Sequence, residues 1–145
     1  MDDVAIVEEV GIVSINSQTR SSATWGLQRI SSLQHVQGDP LDLNYTYTFD
    51  GAGQGVDLYS IDTGLNVEHI MFGGRAKMIY PTPDARDDNG HGSHTAATMG
   101  GYVVGVAPGA SIFGLKTLNA QGGGPVNTTI QGMEAVIENL SLIHI

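Results

Sequence analysis

Apolar residues in this chain come in short runs set apart by Gly, Asn and Asp, and the period changes from run to run. VAIVEEVGIVSI, 4–15, is β-branched and apolar around a Glu-Glu-Val-Gly turn and predicts strand material. The polar, aperiodic stretch 16–24 reads as a linker. WGLQRISSLQHV, 25–36, predicts a short helix stopped by Gly38 and Pro40, and 38–55 reads as a loop rich in Gly, Asp and Tyr. VDLYSI, 56–61, is the clearest buried strand and runs out on Asp62-Thr63-Gly64. AKMIY, 76–80, and SIFGLKTL, 111–118, predict two further strands, with a helix opening at about His91 between them. NTTIQGMEAVIENL, 127–140, predicts a helix capped by Asn127 or Thr128. Its apolar face would be Ile130, Met133, Ile137 and Leu140, turned to the sheet, with Gln131, Glu134 and Glu138 left for water. Gly132 costs that helix about 1 kcal/mol relative to Ala, which a close helix-to-strand contact would offset.

Strands alternating with helices predict an α/β protein with a parallel sheet. At 145 residues, 41% of them hydrophobic, the chain has the length and composition of one globular unit or part of one. A net charge of −9 with only six Lys and Arg, scattered along the chain, argues against a nucleic-acid partner. There is no cysteine, hence no disulfide framework or thiolate metal site. No transmembrane run is present, and no basic-then-apolar signal peptide follows Met1.

The chemistry concentrates in ARDDNGHGSHTAA, 85–97, and in Asp62. Functional groups of an open parallel sheet gather at the carboxyl ends of its strands, where Asp62 falls. His91 lies at a helix N-terminus between Gly90 and Gly92, and His94 follows about one turn later. A carboxylate bonded to one imidazole nitrogen fixes the tautomer and leaves the other nitrogen to take a proton from a nucleophile. Asp62 and His91 would make that pair.

YSIDTGLN, 59–66, and NGHGSHTAATMGG, 89–101, resemble the aspartate and histidine motifs of the subtilisin-like serine proteases, with the fungal proteinase K group the nearest likeness. WGLQRIS, 25–31, GGRAKMI, 73–79, YVVGVAPGASIFGLKTLNAQGGGP, 102–125, and IQGMEAV, 130–136, resemble that group in order and spacing. The resemblance implies an α/β fold, an incomplete subtilisin-like parallel sheet with helices on both faces, in which Asp62 and His91 are catalytic and His94 supports the helix. Residues 1–16 would be the end of an inhibitory propeptide, cut between Asn16 and Ser17, and 17–145 the N-terminal part of the peptidase domain. Gly122, Gly123 and Gly124 match the strand edge that pairs with a substrate backbone, where glycine permits close approach. The implied partners are protein or peptide substrates and the propeptide as an intramolecular inhibitor. The complete protein would be an extracellular monomer needing no cofactor for catalysis, with structural calcium in the complete domain.

Ser60, Thr95 and Ala97 depart from the family pattern, which puts an apolar residue, Val or Cys, and Gly at those places. The family's nucleophile sits in a Gly-Thr-Ser-x-Ala-x-Pro segment, a context that none of Ser93, Ser111 and Ser141 has, and its oxyanion-hole asparagine also lies downstream. The chain is therefore expected to be a fragment, inactive alone, whose likeness fades at the final SLIHI.

Three other readings compete. Ile-Asp-Thr-Gly also resembles half of an aspartic-protease site, which a homodimer would complete. His91 and His94 with Asp87 or Asp88 could bind a metal, although no third strong ligand is evident. A non-catalytic fragment could serve as an interaction module. Sequons at Asn44, Asn127 and Asn139 are compatible with a secreted parent.

Overall fold

A computed structural model of the chain describes residues 17–143; the strand and propeptide expectations for 1–16, Asn16 included, lie outside the described residues. Three parallel strands form the centre: β3 (Asp57–Asp62), β4 (Ala76–Tyr80) and β5 (Ser111–Lys116), in the order β3-β5-β4. Helix α2 (His91–Gly100) and helix α3 (Val126–Ile143) cover opposite faces. Side chains alternate along a strand, so Leu58 and Ile112 meet Gly100 of α2, whereas Ile61 and Leu115 meet Gly132 of α3. The main core is Leu65, Phe72, Ala76, Met78, Ala96 and Ile112 on the α2 side.

Residues 17–24 and 38–55 differ from the linker and loop the pattern predicts. Strand β1 (Gln18–Ala23) pairs antiparallel with β2 (Tyr45–Phe49), with Arg20 opposite Tyr47. Together with α1 (Trp25–Ser31) they enclose a second core of Ala23, Leu27, Val36, Tyr45 and Tyr47. β1 gives no hydrophobic alternation because five of its six residues are exposed or half-buried and only Ala23 is buried. It is held from outside: the Arg20 guanidinium donates to the Tyr102 carbonyl at 2.7 Å and lies over the Tyr47 ring, whose hydroxyl donates to the Val106 carbonyl at 2.8 Å. α1 stops at Ser31, short of Val36. There the Ser31 hydroxyl back-bonds to the Leu27 carbonyl at 3.0 Å, and Ser32, in extended backbone, takes the Gln34 amide at 3.2 Å.

α3 corrects the expected face. Ile130, Met133, Ile137 and Leu140 are exposed, and the helix meets the sheet through Thr128, Thr129, Gly132, Ala135, Val136 and Asn139. The reason is distance: small residues let α3 lie close to Thr117 and Leu115, which bulky ones would prevent. Two side-chain bonds fix it there, Tyr59 hydroxyl to Asn139 Oδ1 at 2.7 Å and Tyr80 hydroxyl to Gln131 Oε1 at 3.0 Å. No helix among the described residues is long and apolar enough to cross a membrane.

A Cβ on Gly132 would lie 2.7 Å from Thr117 Cγ2, and Thr117 is itself buried. Gly132→Ala is accordingly expected to lower the melting temperature, although Ala favours an isolated helix by about 1 kcal/mol. Circular dichroism melts compare the two chains; a more stable Ala variant would refute the close contact.

Candidate active site

Asp62 is the last residue of β3 and His91 the first of α2, so strand end and helix start face each other at one edge of the sheet. His91 Nδ1 lies 2.8 Å from Asp62 Oδ1 and 2.9 Å from Oδ2. The Asp62 side chain is 14% exposed and that of His91 63%, a carboxylate largely withdrawn from water holding an imidazole open to it. Nε2 of His91 has no hydrogen-bond partner among the described residues. Asp62 is fixed in turn by the Thr63 amide, at 2.6 Å from Oδ1, and contacts the Thr95 hydroxyl at 3.4 Å from Oδ2. Thr95, a departure from the family pattern, thus places a hydroxyl beside the carboxylate.

The approach of helix to strand end depends on Gly92 and Asp87. A Cβ on Gly92 would overlap the Gly64 carbonyl oxygen, so the first turn of α2 rests directly on the Asp62-Thr63-Gly64 turn. Thr63, buried, accepts the Gly92 amide at 2.9 Å and donates its hydroxyl to Asp87 Oδ1 at 2.8 Å. Asp87 Oδ1 also accepts the amides of Gly90 at 2.9 Å and Asn89 at 3.2 Å, while Oδ2 takes the Ser93 amide at 2.9 Å and hydroxyl at 2.6 Å. One carboxylate therefore caps α2 and clamps it to the end of β3. Burial by itself would raise the Asp87 pKa, but the donors from Ser93, Gly90 and Thr63 prevail and hold it well below the usual carboxylate range.

Lys116, at the end of β5, adds a second clamp: Nζ donates to the Thr63 carbonyl at 2.7 Å, the Leu118 carbonyl at 3.0 Å and Asp88 Oδ1 at 2.5 Å. Its hydrogen bond is the main cause lowering the Asp88 pKa. Gly122 and Gly123 lie in an exposed turn closed by Asn119, whose amide donates to the Gly123 carbonyl at 2.8 Å and whose Oδ1 accepts the Gly123 amide at 3.1 Å. That turn meets the histidine end of α2 through Asn89, whose Nδ2 donates to Ala120 and whose Oδ1 accepts the His91 amide. Gly124 follows, close to the Thr117 carbonyl. Ser17 is exposed immediately before β1, far along the chain from this cluster.

His94 is exposed and borders a shallow pocket with His69, Met71, Ser93, Ala97 and Val104, apart from the Asp62 carboxylate. Among the described residues no group of three or more His, Cys, Asp or Glu is arranged to hold a metal ion. None of them is therefore assigned to the structural calcium of the resemblance, and no step below uses a metal. A cavity of about 620 Å³ lies elsewhere, between β1 and the 102–109 segment, with Arg20, Phe49, Arg75 and Tyr102 in its wall. Asp87, Thr63, Thr95 and Lys116 escape sequence reasoning as site residues. Their nearness to the two motifs was the available signal, but Asp87 gave only a metal-ligand reading.

The described residues thus combine a parallel sheet with an Asp at one strand end and, bonded to it, a His at a facing helix start. The Subtilase family description matches residues 53–144, and the chain belongs to that family. It is 46% identical over 135 residues to Proteinase R of Parengyodontium album, a match covering 92% of this chain and 33% of that protein. Subtilisin-like protease 9 of Arthroderma otae is 43% identical over 137 residues, covering 91% and 33%. The crystal structure of a cold adapted subtilisin-like serine proteinase superposes with a TM-score of 0.71 at 41% identity, covering 82% of this chain and 43% of that one. The chain thus spans about a third of the length of these two curated relatives. Nearness to the fungal proteinase K group and the α/β class follow from these matches.

Asp87 carries its depressed pKa only in the folded chain, so its contribution to stability is complete above the ordinary carboxylate pKa of about 4 and is lost as pH falls through the folded value. Asp87→Asn should cost about 2 kcal/mol at neutral pH, as for charge-assisted hydrogen bonds. It should also flatten the acid side of the profile. Melting temperatures of both chains from pH 7 downward measure this; parallel profiles would remove Asp87 as the clamp.

Proposed function

We propose that this chain contributes the aspartate and histidine of a secreted serine endopeptidase. The observation that carries the reading is the contact of His91 Nδ1 with both Asp62 carboxylate oxygens, with Nε2 left open. Asp62 accepts the Nδ1–H bond, which selects the tautomer whose Nε2 lone pair can take a proton. In the full-length protein a serine hydroxyl loses its proton to Nε2 as its oxygen attacks the peptide carbonyl carbon. The tetrahedral intermediate collapses, the C–N bond breaks, and Nε2 returns the proton to the leaving amine. Water then releases the acyl group by the same route. The positive charge that passes onto His91 is offset by Asp62 at 2.8 Å.

Ser93 is committed elsewhere: its hydroxyl donates to Asp87 and accepts the Asn66 amide. The nucleophile is assigned to sequence found in the longer relatives, and the substrates are proteins or peptides whose backbone runs beside Gly122–Gly124. The family's extracellular members and the propeptide likeness of residues 1–16 support secretion as a precursor cut after Asn16, and the mature N-terminus of the secreted protein should be Ser17. A start beyond Trp25, found by N-terminal sequencing, would overturn that processing site. The aspartic-protease alternative has no support from a parallel sheet in which Asp62 pairs with a histidine.

In the full-length protein His91→Ala should lower kcat/KM for a chromogenic peptide by about 10²- to 10⁴-fold, the usual weight of a positioned general base. His94→Gln should leave it nearly unchanged, since among the described residues the Asp62 carboxylate is bonded to His91, Thr63 and Thr95 and not to His94. The 145-residue chain itself should give no turnover sensitive to a serine-trapping organofluoride. Such turnover, or equal loss in a folded His94 variant, would contradict the assignment.

A further inference from the structure

The three sequons look alike in sequence, yet the fold treats them differently. N-linked transfer requires the Asn carboxamide and the hydroxyl two residues on to reach one enzyme pocket together. Extended backbone puts residues i and i+2 on one side, whereas a helix turns them away from each other. Asn44 directly precedes β2, and Thr46 is its second residue. Both are exposed, with Tyr45 between them buried in the second core. Their side chains are lightly held: Asn44 Nδ2 is 3.5 Å from Asp42 Oδ2, and the Thr46 hydroxyl is 3.4 Å from Gln28 Oε1.

The other two sequons lie within α3. Asn127 is in its first turn with Thr129 half-buried on another side. Asn139 Oδ1 accepts the Tyr59 hydroxyl at 2.7 Å on the face that packs against the sheet, so a sugar on the adjoining Nδ2 would stand where the helix meets the sheet.

We propose that Asn44 carries an N-linked glycan in the mature protein and that Asn127 and Asn139 do not. The proposal rests on the reading of the protein as secreted, because the donor is the polyprenyl-diphosphate-linked oligosaccharide of the secretory route. Asn44 Nδ2 forms a bond to the anomeric carbon of the first sugar as the bond from that carbon to the diphosphate oxygen breaks. The lipid diphosphate leaves with the electron pair, and one Nδ2 proton is lost. The site belongs to the β1, β2 and α1 unit, away from Asp62 and His91, so a glycan leaves the pair open. It also has something to cover: Leu41 and Leu43, just before it, are 88% and 59% exposed.

The test is secretion of the full-length protein from a eukaryotic host, release of glycans by peptide:N-glycosidase in heavy-oxygen water, and peptide mass spectrometry. Heavy-oxygen Asp is expected at position 44 and unmodified Asn at 127 and 139. Asn44→Gln and Thr46→Val should each abolish the label at 44, with kcat/KM unchanged; Asn127→Gln and Asn139→Gln should leave it in place. The same label is read on material retained inside the host if a variant is not exported. An unlabelled position 44, or label at 127 or 139, overturns the proposal. Peptidase activity on the same samples separates the two readings: a labelled but inactive protein contradicts the peptidase assignment alone, and an active, unlabelled one contradicts the glycan alone.

Discussion

The first turn of α2 and the turn that ends β3 lie so close together that the peptide of Gly92 touches Gly64, and the rest of the site depends on that contact. A side chain at position 92 would push the helix away and carry His91 with it. Two groups hold the approach: Thr63, bonded to the Gly92 amide, and Asp87, which takes five hydrogen bonds from Thr63, Asn89, Gly90 and Ser93. A carboxylate that satisfies helix amides and a neighbouring hydroxyl at once converts two separate segments into one rigid mount. The Asp62–His91 bond is then a consequence of where the mount sets the two residues.

Three of the six cations of this acidic chain also tie segments together. Lys116 draws together the ends of β3 and β5 by bonding their backbone carbonyls. Arg75 gathers the carbonyls of Gly100 and Ala110, and Arg20 that of Tyr102, so each fastens a loop to the sheet or the smaller unit. Every buried carbonyl without a secondary-structure partner needs a donor, and long cationic side chains supply several at once. Such a frame positions His91 while leaving it open to solvent, as its proposed role of proton acceptor requires.

Strands β3, β4 and β5 were legible because, Lys77 apart, all their residues are buried or half-buried, so apolar side chains dominate runs such as AKMIY. Asp62 and His91 were legible because motif and strand end coincide. β2 carried a visible signal in the Tyr-Thr alternation of YTYTF, hidden by the Asp and Gly around it. β1 carried none, since its stability comes from pairing and from Arg20 rather than from its own apolar residues. In α3 the large apolar stripe misled, because the sheet selects small residues that permit close approach over bulky ones that bury more area. Asp87 was invisible as a clamp because its partners, Thr63 and Ser93, are assembled only by the fold.

The central claim is that Asp62 sets the tautomer of His91. Nitrogen-15 NMR of the imidazole at a pH where the ring is neutral reads this directly. The account predicts a protonated Nδ1 and a bare Nε2 for His91, reverting in Asp62→Ala to the mixture seen for free imidazole. A His91 ring protonated on Nε2, or a tautomer mixture indifferent to the loss of Asp62, would contradict it.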